Sequence, residues 1–166
     1  ELCPKGVEFK ELGHVCVDTK NIKWSENVGK AFRYIDLTSV DRVTHAITDT
    51  QIIDADTAPS RAQKIVKSGD VIFGTTRPTL KRYSIIGMDY DGQICSTGFC
   101  VLRPKINEIL TDFIFHLIST STFYDYVEAT QKGASYPAIS DSDVKRFKIT
   151  LPPLAIKEEI VKILNN

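Results

Sequence analysis

No stretch of this 166-residue chain approaches the roughly 20 consecutive apolar residues of a membrane-spanning helix, its longest apolar runs being broken by His116 or by charges. The first residues, Glu1, Leu2, Cys3, Pro4 and Lys5, carry neither the apolar core of a signal peptide nor an initiating Met, as expected at a fragment boundary. Four cysteines, at positions 3, 16, 95 and 100, include no Cys-x-x-Cys pair. That spacing suits neither a zinc site nor a dense disulfide framework, so reduced and mostly buried thiols in a soluble, cytoplasmic protein are expected. Net charge is missing too: Lys+Arg 21 balance Asp+Glu 21, which excludes a uniformly basic coat.

The signatures of catalysis are equally absent. With no G-x-G-x-x-G and no G-x-x-x-x-G-K-[ST], no glycine-lined phosphate cradle is announced. His14, His45 and His116 lack the spacing that sets two imidazoles on one helical face, so no metal site is expected. Ser96-Thr97-Gly98 is not a nucleophile elbow. Two partial matches fail on chemistry. Asp143-Val144-Lys145 has the Asp-x-Lys form of a magnesium-dependent nuclease half-site, but the upstream Pro-Asp acid is missing. Leu151-Pro152-Pro153-Leu154 has the prolines of an amino-methyltransferase box, yet leucines at its outer positions neither bind an amine nor stack on a flipped base. No cofactor is called for.

What is present is a globular composition, 42% hydrophobic and 25% charged, of a size that fits one domain with a core. The neutral total conceals a gradient. Residues 58–105 carry 8 basic against 3 acidic side chains, while residues 1–57 carry 7 against 10 and the remainder 6 against 8. Because exposed charges more than about 10 Å apart are screened at 0.1 M salt, such a middle can attract a polyanion locally; an ordinary solvated surface is the alternative.

Apolar–polar alternation predicts strands over residues 32–37 and 46–53, and the run after Ser68-Gly69-Asp70, Val71-Ile72-Phe73-Gly74, reads as an interior strand. Residues 81–88 and 93–102 read as two strands of a hairpin turning at Asp91-Gly92. The period then changes: Ile114, Leu117, Ile118, Tyr124 and Val127 predict one amphipathic helix capped near Thr111. A Gly- and Pro-bearing loop over residues 131–137, a short helix capped by Ser140, a strand over residues 147–151 and a helix started by Pro152-Pro153 follow. Strands first and helices later suggest a mixed α+β domain, with a mixed or antiparallel sheet and packed helices.

Four blocks carry a resemblance. They are residues 3–13 (CPKGVEFKELG); Lys67-Ser68-Gly69-Asp70-Val71-Ile72-Phe73 with the Thr75-Thr76-Arg77 that follows; Ser96-Thr97-Gly98-Phe99-Cys100-Val101-Leu102-Arg103-Pro104; and Ile149-Thr150-Leu151-Pro152-Pro153-Leu154 leading into the last helix. In this order across nearly the whole chain, they resemble the target recognition domain of a type I restriction-modification specificity subunit. That resemblance implies residues 1–151 as a domain reading one half of an interrupted site in double-stranded DNA, and residues 152–166 as the truncated start of a spacer helix. It implies partners: methylation subunits, a restriction subunit, and a second recognition domain or second copy joined through spacer helices. It also implies that catalysis belongs to those partners. Ile156, Ile160 and Ile163 would be the partner-facing stripe of the helix.

The resemblance does not say which residues touch bases. Residues 74–82 join two strands and offer Thr75, Thr76, Arg77, Thr79, Lys81 and Arg82, hydroxyls beside forked and point-charge donors. Arg61 and Lys64 belong to the same basic stretch, and Lys132, Ser135 and Tyr136 form a second candidate loop. Arg77, beside Pro78, is expected to read a base, with Lys81 and Arg82, at the start of a strand, holding phosphates. A solvated loop whose Arg and Thr cap strand ends, with Tyr136 a buried anchor, is the alternative. A recognition domain fused to a methyltransferase or restriction enzyme, or an assembly-only half-subunit, would carry the same blocks.

Overall fold

The computed structural model describes residues 7–165, with the backbone alone of Leu154; residues 3–6 of the first block, and Asn166, lie outside them. The described residues form ten strands and four α-helices in three sheets. A central sheet, in the order β2-β9-β6-β7, is built from Cys16–Val17 (β2), Val71–Gly74 (β6), Tyr83–Ile85 (β7) and Phe99–Pro104 (β9), all antiparallel. A second, ordered β4-β3-β8-β5, comprises Phe32–Ile35 (β3), Gln51–Ile53 (β4), Ala62–Ile65 (β5) and Ile94–Ser96 (β8), with β3 and β8 parallel. Glu8–Glu11 (β1) and Lys148–Leu151 (β10) form a separate antiparallel ribbon.

Side-chain alternation divides the interior into layers. On β6 and β9, Val71, Phe73, Cys100 and Leu102 face a core shared with the helices, α1 (Thr111–Ile118), α2 (Ser121–Thr130) and α3 (Asp141–Lys145). Ile72, Phe99 and Val101 face the opposite way, onto Ile35, Val40 and Cys95 near or in the second sheet. A third cluster, Tyr34, Ile53, Ala62 and Ile94, lies on that sheet's outer side under Trp24 and Phe32. The central strands are thus buried on both faces, which is why they read as unbroken apolar runs.

The α+β expectation holds, but three local readings are corrected. β7 and β8 do not form a hairpin: β7 pairs with β6, and β8 pairs with β3 and β5. Gly92 does take a positive φ of 72°. Its N–H, however, donates to the Val66 carbonyl, and Val66 donates to Gln93, so the turn carries the chain across to the second sheet. Buried on both sides, Ile94 and Cys95 require an interior position that a two-stranded hairpin lacks. The expected single helix is two, because Ser119 and Thr120 donate their hydroxyls to the His116 and Leu117 carbonyls and so end α1. Thr120 then caps α2 by accepting from Phe123 N–H. Thr111 caps nothing; its hydroxyl donates to the Gly69 carbonyl. Finally, residues 81–88 yield a strand of three residues, because Lys81 sits in the left-handed region after a 3-10 turn at Pro78–Leu80.

The last helix, α4 (Leu154–Leu164), lies against the domain. Lys157 is 4% exposed and donates to the Glu108 carbonyl, Val161 is buried, and Asn165 bridges Asp112 and His116. Of the three isoleucines expected to face a partner, Ile156 and Ile160 are half-buried and Ile163 is exposed beside Leu164. The stripe is thus partly exposed, and most open at its outer edge.

The block residues are structural where they meet. Asp70, 1% exposed, accepts a two-pronged ion pair from Arg103, Nε and Nη2 each at 2.8 Å, and a bond from Lys67 N–H at 2.8 Å. Two blocks 33 residues apart are thereby joined under the central sheet.

Candidate nucleic-acid interface

A chain of backbone hydrogen bonds assembles the candidate surface. Thr97 N–H donates to the Arg61 carbonyl, Thr75 N–H to Gly98, Ile139 N–H to Thr75, and Arg77 N–H to Pro137 at 2.7 Å. The start of β5, the β8–β9 turn, residues 75–81 and residues 131–139 therefore lie side by side along one edge. Two stretches that sequence reasoning selected separately, 50 residues and more apart, become one surface.

Both stretches are tied down by backbone bonds. Residues 132–138 form a loop closed by reciprocal Lys132 and Ala138 backbone bonds, both 2.8 Å. Gly133 makes that loop possible: its φ is 95°, and a Cβ there would meet the Tyr136 carbonyl oxygen at 2.8 Å. On the facing stretch, Arg77 and Lys81 bracket the 3-10 turn, and both are left-handed non-glycines, at φ 47° and 57°. Each is the kind of backbone outlier that concentrates where a surface has a task. Each also lays its cation over a tyrosine ring, Arg77 over Tyr136 at 4.6 Å and Lys81 over Tyr124 at 5.0 Å. Tyr136 is 71% exposed, so it is not a buried anchor.

The candidates separate into two groups. Arg61, Arg77, Thr79, Lys81, Lys132, Ser135 and Tyr136 are exposed and Thr76 is half-buried beside them. Three others face inward. Thr75 is buried and donates its hydroxyl to the Gly98 carbonyl at 2.9 Å. Lys64 donates to the Phe99 carbonyl and pairs with Asp141 at 2.5 Å. Arg82 donates from Nη1 to the Leu37 and Val40 carbonyls, at 3.0 and 2.7 Å, tying the loop to the second sheet. Arg82 and Lys81 therefore point to different partners, one to backbone carbonyls on the second sheet's side and one to the Tyr124 ring. With Arg103 on Asp70 and Lys105 on the His14 carbonyl, half of the basic middle is tied to the fold.

Sequence reasoning passed over the neighbouring turn at residues 41–46. Asp41 accepts from Val43 and Thr44 N–H, and these bonds, Thr44's foremost, lower its carboxyl pKa. The turn leaves Arg42 and Val43 exposed. His45, at φ 57°, stacks on Tyr83 with ring centroids 3.8 Å apart and close enough to Lys81 to feel its charge. In the sequence Asp41 and Arg42 cancel, so the turn gave no charge signal.

The surface offers donors and hydroxyls. Burial pushes the Cys16 and Cys95 thiols up to about 12 and raises Cys100 as well, so none is a thiolate near neutrality. Asp143 is engaged by Ser140 and Arg146 around the cap of α3. Among the described residues no group of three or more His, Cys, Asp or Glu is placed to hold a metal, and no helix is long and apolar enough to cross a membrane.

Residues 4–166 match the family model described as the type I restriction modification DNA specificity domain. The type I restriction enzyme HindI specificity subunit of Haemophilus influenzae is 24% identical over 148 residues, 84% of this chain and 32% of that protein. The EcoDI specificity subunit of Escherichia coli is 30% identical over 95 residues, 57% of this chain and 20% of that one. In structure the chain is similar to the HsdS subunit from Thermoanaerobacter tengcongensis, with a TM-score of 0.88 and 39% identity over 98% of this chain and 42% of that chain. The S subunit from M. genitalium, at 12% identity and a TM-score of 0.60, covering 99% of this chain and 40% of that one, shares the fold. The chain therefore spans a third or less of the curated relatives and about two fifths of the solved ones.

Proposed function

Because the chain belongs to the type I restriction modification DNA specificity domain family, we propose that it is one target recognition domain, reading one half of an interrupted double-stranded DNA site. The observation that carries this reading is the convergence of residues 76–81 and 132–136 into one exposed surface with cations held on aromatic rings. Such a surface combines phosphate-neutralising charge with side chains stiff enough to meet base edges. The contact set is Arg61, Thr76, Arg77, Thr79, Lys81, Lys132 and Ser135, with Tyr136 beneath the Arg77 cation; Lys64, Thr75 and Arg82 support it from below.

Residues 152–166 are the start of a spacer helix, through which a second recognition domain or a second copy is joined and methylation subunits dock. Methylation and cleavage fall to those subunits and to the restriction subunit, in the cytoplasm where the DNA is. The deciding experiment is a duplex titration of this chain at two salt concentrations, followed by selection from a randomised duplex pool. Recognition predicts salt-dependent binding and one enriched half-site. Absence of DNA binding at low salt, with methylation subunits still captured, would leave the assembly-only reading in its place. Cleavage by a homogeneous sample, lost in Asp143→Ala, would favour a nuclease, and methyl transfer by such a sample a methyltransferase.

A further inference from the structure

We infer that Arg77 reads a guanine and that Tyr136 is the positioning residue that aims it, an assignment resting on the DNA-recognition reading above. Among the described arginines, Arg82, Arg103 and Arg146 direct their forks at protein carbonyls or carboxylates. Arg77 instead sets its guanidinium carbon over the Tyr136 ring, 4.6 Å from the centroid and closer than Arg33 over Tyr90 at 5.8 Å. A cation held over a ring rather than on a carbonyl or carboxylate keeps its N–H donors for a bidentate contact.

The two partners are held by separate backbones, and each backbone is fixed. Arg77 is pinned by its N–H bond to Pro137, by Leu80 N–H donating to its carbonyl at 3.0 Å, and by Pro78 after it. Tyr136 stands at the tip of the loop closed by Lys132 and Ala138. A tyrosine that is 71% exposed gains little from its own burial, so its place under the cation is what it contributes. Guanine presents two acceptors, O6 and N7, on its major-groove edge, whereas adenine presents an acceptor beside a donor. A fork of donors held edge-on is thus matched by guanine alone among the four bases. Lys81 is different: over Tyr124 it offers a point charge, suited to a phosphate.

The test is selection by the wild-type chain from a randomised duplex pool. It is followed by titration of the selected duplex and of its single-pair variants with wild type, Arg77→Lys, Tyr136→Leu and Tyr136→Phe. Matched thermal midpoints serve as the folding control. The readout is the ratio of affinities for the selected duplex and the variant in which one G·C pair becomes A·T. Wild type is expected to show a ratio of roughly ten to a hundredfold at one G·C position. Arg77→Lys and Tyr136→Leu are expected to collapse that ratio toward one, and Tyr136→Phe to keep it. If wild type selects a site but Arg77→Lys retains every ratio, base reading by Arg77 is wrong while the recognition reading stands. If Tyr136→Leu weakens all duplexes equally, Tyr136 is a contact and not a positioning residue. If wild type shows no preference at all, both readings fall together.

Discussion

Arginine does opposite jobs in this chain, and the neighbouring backbone decides which. Arg103 meets a carboxylate that is 1% exposed, so Arg103→Ala should cost about 3–5 kcal/mol in urea unfolding by leaving Asp70 charged and unpaired. Arg82 holds two carbonyls, and Arg82→Ala should cost about 1.5–3 kcal/mol while leaving the salt dependence of DNA binding as steep as before. Lys132→Ala, on the exposed loop, should do the reverse, flattening the slope of log K against log salt by about one per phosphate contact with little change in stability. His45 supplies a pH signature. Burial holds its pKa below the ordinary imidazole value, with Lys81 assisting and Asp41 and the Tyr83 backbone opposing. The unfolded chain then takes up the proton first. The contribution of His45 is therefore present above about pH 6.5 and is lost as pH falls through the lower folded value. Unfolding curves at about pH 7.5 and about pH 5.5 should show a larger acid loss for wild type than for His45→Asn, which tolerates the positive φ but does not titrate.

Elements here are shorter than their sequence periods, because polar side chains cut them. The hydroxyls of Ser119 and Thr120 turn one apolar stripe into two helices, and Thr120→Ala should cost about 1 kcal/mol through the lost cap of α2. The 132–138 loop depends on one glycine. Gly133→Ala must distort the loop, since its φ is 95° and the added methyl would meet the Tyr136 carbonyl at 2.8 Å. DNA selectivity should therefore fall in pool selection, while the circular-dichroism spectrum of the sheets and helices is kept, because the loop is exposed and no core residue lies on it.

At the scale of the molecule, α4 has two faces with different duties. Lys157 and Val161 seat it on the domain, whereas Ile163 and Leu164, 68% and 52% exposed, look outward. An exposed apolar edge favours association. Sedimentation should show weak self-association that Ile163→Lys removes with the melting midpoint kept, whereas Val161→Asp should lower the midpoint by burying a charge. A strict monomer in both wild type and Ile163→Lys would count against the spacer assignment.

The linear chain determined what depends on neighbours a few residues away. The interior strand at Val71–Gly74, the cap at Ser140 and the helix start at Pro152-Pro153 follow from alternation, hydroxyls and proline geometry. The α+β class follows from their order, and the four blocks were legible as a resemblance even though Asp70 and Arg103 within them turn out to be a buried pair. Pairing was decided elsewhere. Asp91-Gly92 reverses the chain in either arrangement, and only the burial of Ile94 and Cys95 on both faces selects the second sheet over a hairpin. The division of the cations was also a tertiary matter. Lys64, Arg77 and Arg82 are alike as letters, but Lys64 finds Asp141 77 residues away, Arg82 finds Leu37 45 residues away, and Arg77 finds the ring of Tyr136. A long-range partner supplies or withholds the acceptor that turns a charge inward, so the cations left on the surface are known only once the chain has closed.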